Sequence, residues 1–345
     1  MEDRSLYKPV IILGGGITGL AAALFLKQQN VDFVLIEKHP GTSIYPRSRT
    51  IDIRAMELFR GLGLNEKLRK AGKHLAPTWG ILRGSTLVEA LENRLGTVSP
   101  TQYSEVQKHM SGMAKASPET ACRCTQDISE AIMKNEAESL GLDLRFNHQM
   151  LSFQQDAEMV RLLVEDRITK EKYTLTAQYM IAADGANSSA RAQLNIPTKG
   201  NYTGPDLLNI YFEADLEHWV KDNAFSQFLV DTPEMTGFLL TINNKDKWAF
   251  HLRFHPENGE TVADYPDNKI KAILHEVIGI PELEIRIINV LPWKMSVKIA
   301  DRMRDARVFL AGDAAHTMTV CRKGGKFRYS GCAEFSMETC CSLKL

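Results

Sequence analysis

The chain has 345 residues, 42 basic and 42 acidic side chains and no formal net charge, with 44% hydrophobic and 24% charged residues. That composition excludes a disordered or fibrous chain, and the charge balance gives no footprint for nucleic acid or an acidic membrane surface. The length suggests two domains.

The opening MEDRSLYK mixes charges and has no apolar core, so it does not read as a secretory signal. The apolar run from Val10 to Leu26 is broken by three adjacent glycines and is short for a span. The expectation is a cytoplasmic protein with no membrane segment. Six cysteines are too few for a disulfide scaffold, and Cys122 and Cys124 have no second pair at ligand spacing, so no metal is expected.

In chain order, KPVIIL (residues 8–13) predicts a strand, GGGITG a turn, LAAALFLKQQN a helix and VDFVLIEK a second strand. Gly14, Gly16 and Gly19 stand at G-x-G-x-x-G spacing. The first permits the tight turn, the second lets a pyrophosphate approach the backbone, and the third allows helix and strand to touch. Glu37 ends the second strand, 23 positions after Gly14, where an acid would bind a ribose hydroxyl. Either FAD or NAD satisfies this much.

Two further strand ends follow. TLTAQYMIAADGANSSARAQL leads into Asp184-Gly185 with Ser188 and Arg191 behind, and ARVFLAGDAAHTM leads into Gly312-Asp313. Each dipeptide alone reads as an ordinary turn. Between them, LLNIYFEADL, SQFLVD, GFLLTINN and KWAFHLRFHPE alternate apolar with polar residues and predict a mostly antiparallel sheet. In that last run Trp248, Phe250, Leu252 and Phe254 share one face, and Ala249, His251, Arg253 and His255 share the other. A substrate floor and a core packed against helices both account for such a face. His251, His255 and His316 lack metal-binding spacing.

With three motifs in this order, the chain resembles the FAD-dependent aromatic hydroxylases of the para-hydroxybenzoate hydroxylase and phenol 2-monooxygenase type, over residues 8 to about 319. The resemblance implies an α/β fold, α+β overall, in which a Rossmann-like βαβ FAD-binding domain carries an inserted, mostly antiparallel substrate domain. It divides the chain into 1–80, 105–195 and 298–319 for FAD, and 81–104 and 196–297 for substrate. It places Asp313 on the ribityl chain of FAD and associates Asp184 and Gly185 with FAD and nicotinamide use. In PRSRTIDIRAMELFRGLGL it makes Arg47 a flavin-contacting arginine, with Arg49 and Arg54 as capping or pairing neighbours. In CRCTQDISEAIM it turns Arg123 and Gln126 to the cofactor. The implied reaction uses NADH or NADPH to reduce the flavin and O2 to form a C4a-hydroperoxide that attacks a small aromatic substrate. No catalytic acid or base is implied, and oligomeric state is left open. A halogenase or reductase on the same fold, and a catalytically impaired FAD-binding chain, stand as alternatives.

After GDAAH the family continues with a proline and a glycine-rich turn, then an Asn-bearing helix. This chain reads TMTVCRKGGKFRYSGCAEFSMETCCSLKL instead. Back-translated and shifted by one nucleotide, Tyr329 to Cys341 can read G-I-Q-D-A-Q-N-L-A-W-K-L-A, which is family register. Residues 320–345 are therefore expected to be a frameshift or mis-splice product. The crowding of Cys321, Cys332, Cys340 and Cys341 would then be its by-product.

Overall fold

The structure is a computed structural model that describes residues 6–76, 80–93, 116–232, 235–317 and 334–335. The expectations for residues 94–104, 105–115 and 318–319, and for the altered tail apart from the backbone of 334–335, lie outside the described residues.

Strand β1 (Leu6–Leu13) leads through the glycines into helix α1 (Ile17–Gln28) and back into β2 (Phe33–Glu37). β1 and β2 pair in parallel, Val10 opposite Phe33 and Leu13 opposite Ile36. Ile11, Ile12, Val34, Leu35 and Ile36 are fully buried, as strands covered on both faces require. The other edge of β1 pairs in parallel with β9 (Lys172–Ala182), Leu13 opposite Ala182, and β9 pairs in parallel with β16 (Val308–Leu310). This eight-stranded sheet is completed by β6 (Leu144–Phe146), β7 (His148–Gln155), β8 (Val160–Asp166) and β15 (Arg304–Asp305). The Ala-rich face of α1 lies against it, and α2 (Gln126–Ser139) packs on α1 through Met133 and Ala137.

The second sheet has seven strands, in the order β17 (His316–Thr317), β14 (Arg286–Ala300), β10 (Thr198–Glu213), β13 (Lys247–Arg253), β12 (Thr236–Thr241), β11 (Gln227–Asp231) and β4 (Ile81–Gly84). All its pairs are antiparallel except β4 with β11. Trp248, Phe250, Leu252 and Phe254 enter one apolar cluster with Phe212 and Phe228, covered by α3 (Asp267–Ile278) through Ile270, Leu274, Val277 and Ile278. That face is packed core. Trp248 satisfies its one polar atom by donating Nε1–H to Ala214 O at 2.9 Å.

Between the sheets, β3 (Thr50–Ile51) pairs with β5 (Cys122–Arg123). This joins the arginine-bearing stretch to the segment before α2 in one small layer. Among the described residues, no helix is long and apolar enough to cross a membrane.

Candidate functional site

The glycine turn is closed by backbone contacts that admit no side chain at two of its positions. Gly14 has φ +110°, and a Cβ there would lie 2.3 Å from Ala183 O; on Gly19 it would lie 1.8 Å from Gly14 O. These two glycines let β1, β9 and α1 touch. Gly16 differs. The nearest atom to a Cβ on Gly16 is Glu130 Oε1 at 3.5 Å, so the fold itself leaves room there. Room over amides at a helix start is what a diphosphate needs.

Glu37 lies beside this turn but is already engaged. Its Oε2 accepts from Gly15 N at 2.6 Å, and its Oε1 accepts from His39 N at 2.8 Å. Oε1 also lies 2.5 Å from His39 Nδ1, so ribose hydroxyls would have to share Oε2, which keeps a further lone pair.

The first turn of α1 is served by a residue that the sequence reading did not single out. Glu130, on α2, is fully buried, and its Oε1 accepts from Ile17 N at 2.9 Å and Gln126 Nε2 at 2.6 Å. Its Oε2 accepts from Ser43 N at 2.8 Å. One carboxylate thus ties α1, the arginine-bearing stretch and α2 together, and turns Gln126 so that its amide nitrogen is occupied. Only spatial proximity across 113 residues makes this visible.

Gly312 and Asp313 arrive on the same spot. A Cβ on Gly312, which has φ +59°, would lie 2.5 Å from Thr18 Oγ1 in the first turn of α1. Burial pushes the Asp313 carboxyl up, while Arg47 and His316 pull it down, so Arg47 and Asp313 share one neighbourhood. Gln126 N donates to Arg47 O at 3.4 Å, which keeps the α2 start beside that arginine. Asp184 follows Ala183 against Gly14, and its Oδ2 accepts from Ser189 Oγ and Ala190 N, both at 3.1 Å. Arg191 bridges the two dipeptide turns, donating to Ala186 O at 2.7 Å and Ala314 O at 2.8 Å. Gly185 has φ +84° and no protein atom near its Cβ position; its freedom serves the turn.

The buried polar atoms without a partner test whether this site suits FAD. They include all three guanidinium nitrogens of Arg123, Gln126 Oε1, Asp184 Oδ1, Thr125 Oγ1 and Tyr45 OH. Orphaned buried groups are costly, so each asks for an explanation. Desolvation pulls the Arg123 guanidinium down to about 10 with no carboxylate among its influences. A shielded cation, several unpaired acceptors and a helix start with room at Gly16 fit a polyhydroxylated, diphosphate-bearing cofactor.

Gly14, Gly16, Gly19, Glu37, Arg47, Gln126, Asp184, Gly312 and Asp313 are thus brought around one turn, and Arg123 lies on β5 toward the second sheet. Arg49, read from sequence as a capping or pairing neighbour, is instead buried across the interface. Its Nη1 donates to Ser226 O and Thr241 O, both at 2.9 Å, and its Nη2 to Ser226 Oγ at 3.0 Å. Cys122 and Cys124 are buried free thiols, and burial pushes both above their ordinary range. Among the described residues, no three His, Cys, Asp or Glu side chains group as metal ligands.

Comparison with known proteins places these features in context. Residues 7–325 match the family model described as FAD binding domain. A Streptomyces coelicolor protein bearing a polyketide hydroxylase name is 36% identical over 318 residues, 92% of this chain and 49% of that protein. Tetracenomycin B2 monooxygenase-dioxygenase of Streptomyces olivaceus is 34% identical over 322 residues, 89% of this chain and 58% of that protein. The crystal structure of the flavin-dependent monooxygenase PieE with FAD and substrate superposes with a TM-score of 0.76 at 28% identity, covering 90% of this chain and 53% of that one. The chain spans about half the length of the curated relatives it matches.

Proposed function

Because the chain belongs to the FAD binding domain family, we propose that it works as an FAD-dependent monooxygenase. It would hydroxylate a phenolic or polycyclic aromatic substrate, using NADH or NADPH and O2. The observation that carries the cofactor is the set of shielded polar atoms on Arg123, Thr125, Gln126 and Asp184 that have no partner among the described residues. The monooxygenase and hydroxylase names of the relatives favour oxygen transfer over halogenation or simple reduction.

In this reading, the amides of the glycine turn and of α1 hold the pyrophosphate, and Glu37 reaches the adenosine ribose. Asp313 holds the ribityl chain, while Arg47, Arg123 and Gln126 face the flavin. Asp184 and Gly185 line the turn beside Gly14. When bound, FAD supplies the redox and oxygen-transfer chemistry. The chain supplies binding, orientation and exclusion of water, with one domain (1–80, 105–195 and 298–319) holding cofactor and the other (81–104 and 196–297) meeting substrate.

Two glycine substitutions test the site. The Cβ of Gly16→Val would lie no nearer than 3.5 Å to any described atom beyond its chain neighbours, Glu130 Oε1 being the nearest, so the protein should fold yet lose FAD affinity by about tenfold or more, read by flavin fluorescence titration. Gly19→Ala drives a methyl into Gly14 O, so it should cut folded yield itself. Unchanged FAD affinity in Gly16→Val would place the cofactor elsewhere. NAD(P)H oxidation by the FAD-loaded chain that no phenol in a broad panel stimulates, with no hydroxylated product, would remove the monooxygenase reading.

A further inference from the structure

We infer that His251, held by Asn209, is the residue by which this chain recognises a hydroxyl group on an aromatic substrate, an inference that rests on the monooxygenase reading above. The two lie on the face of the seven-stranded sheet opposite the apolar core. In register across four strands, Phe238, His251, Asn209 and Leu291 form one row on that face. The face looks toward the stretch that carries Arg47, because Tyr45 packs edge-on to Tyr211 at 5.8 Å and Arg49 bonds to Ser226 O and Thr241 O.

His251 Nδ1 lies 2.5 Å from Asn209 Oδ1. An amide oxygen only accepts, so Nδ1 carries the proton. Burial, reinforced by the charge of Arg49, pushes the imidazole down to about 3, which keeps the ring neutral at working pH. Nε2 is then a lone-pair acceptor, and it has no hydrogen-bond partner among the described residues. Such an atom takes a proton donor; it pairs with a ring hydroxyl and refuses an ether, a carbonyl or a carboxylate. Phe238 stacks on the imidazole at 4.4 Å and Trp293 meets it edge-on at 6.2 Å, so its surroundings are flat and aromatic. Gln227 Oε1, on the same face, is a buried acceptor without a partner among the described residues.

The test titrates the FAD-saturated chain at pH 6 with 2-hydroxyanthraquinone and 2-methoxyanthraquinone. Binding is read from tryptophan quenching, since Trp293 touches the site. The parent should bind the hydroxyl compound about tenfold more tightly, because the ether leaves a buried acceptor unpaired. His251→Phe should bring the ratio to about one with FAD affinity unchanged. Asn209→Leu, which frees the ring to present an Nε2 proton, should collapse it as well. Equal binding of the two quinones by the parent, binding of neither, or a preference that survives both substitutions overturns the assignment. A parent chain that takes up no FAD sinks the monooxygenase reading instead, and the flavin titration shows this separately.

Discussion

On one face of the seven-stranded sheet Phe212, Phe228, Trp248 and Phe250 are fully buried among the aliphatic side chains of α3; on the other, the polar side chains of Asn209, Gln227 and His251 are almost as dry, set among Tyr211, Ala249 and Leu240. The apolar face needs no explanation beyond folding, since each Å² of apolar surface removed from water contributes about 25 cal/mol. The polar face earns little of that. Its groups are desolvated, and Gln227 Oε1 finds no partner among the described residues. Arg49 adds a buried cation that burial pulls down to about 9. Stability alone would have filled these positions with valine and leucine, and the proposed substrate site rests on that difference between the faces.

Three measurements can break or sharpen this contrast. The largest effect should come from the apolar side. Phe250→Ala should cost about 3–5 kcal/mol in denaturant unfolding, with the hydroxyl preference of the remaining folded protein unchanged. A stability loss under ~1 kcal/mol would mean that the core face is not the mainstay assumed.

Next in size is Arg49→Leu. It removes the guanidinium donors from Ser226 O, Ser226 Oγ and Thr241 O, leaving Ser226 O only the longer bond from Thr241 N at 3.3 Å, and should cost about 1–3 kcal/mol. Lysine should not rescue it, because one ammonium cannot reproduce the guanidinium fork. A neutral Arg49→Leu would show that the interface holds without this cation.

The smallest effect, read over the single pH unit below about 6.5, is a slope with pH. His251 has a folded-state value near 3, below its ordinary 6.5, so between those limits the unfolded chain binds the extra proton. Stability should therefore fall as pH drops from about 6.5 toward 3, by at most about 1.4 kcal/mol per pH unit from this group. His251→Phe should remove that share of the slope. An unchanged slope in the variant would place the titration on other groups.

The parts legible in the sequence were those written in local pattern. Gly14, Gly16 and Gly19 announced the βαβ unit because a tight turn and a close helix leave few alternatives to glycine. The alternation in WAFHLRFH assigned Trp248 and His251 to opposite faces before any coordinates. Glu130 and Arg49 were not legible in their roles. Each acts through partners more than 100 residues away, Ile17 for one and Ser226 and Thr241 for the other, and no spacing rule carries that information. The occupation of Glu37 by Gly15 and His39 was hidden for the opposite reason: the partners are close, but the side chain's direction is set by tertiary packing.

The central position of β1 has a consequence for the order of assembly. One of its edges pairs with β2, which follows within thirty residues, but the other waits for β9, and β9 in turn waits for β16 at residues 308–310. During synthesis the N-terminal strand therefore emerges long before its second neighbour exists, with an apolar, unpaired edge exposed to other nascent chains. Loop closure over that distance adds only slowly to the free-energy cost, but contacts so far apart in sequence are slow to form. The Glu130 clamp can form ahead of β9, but the Gly312 contact with Thr18 arrives only with β16. The glycine turn is thus among the last pieces to be completed, and chaperone dependence should track the emergence of β9 and β16 rather than of the glycines themselves.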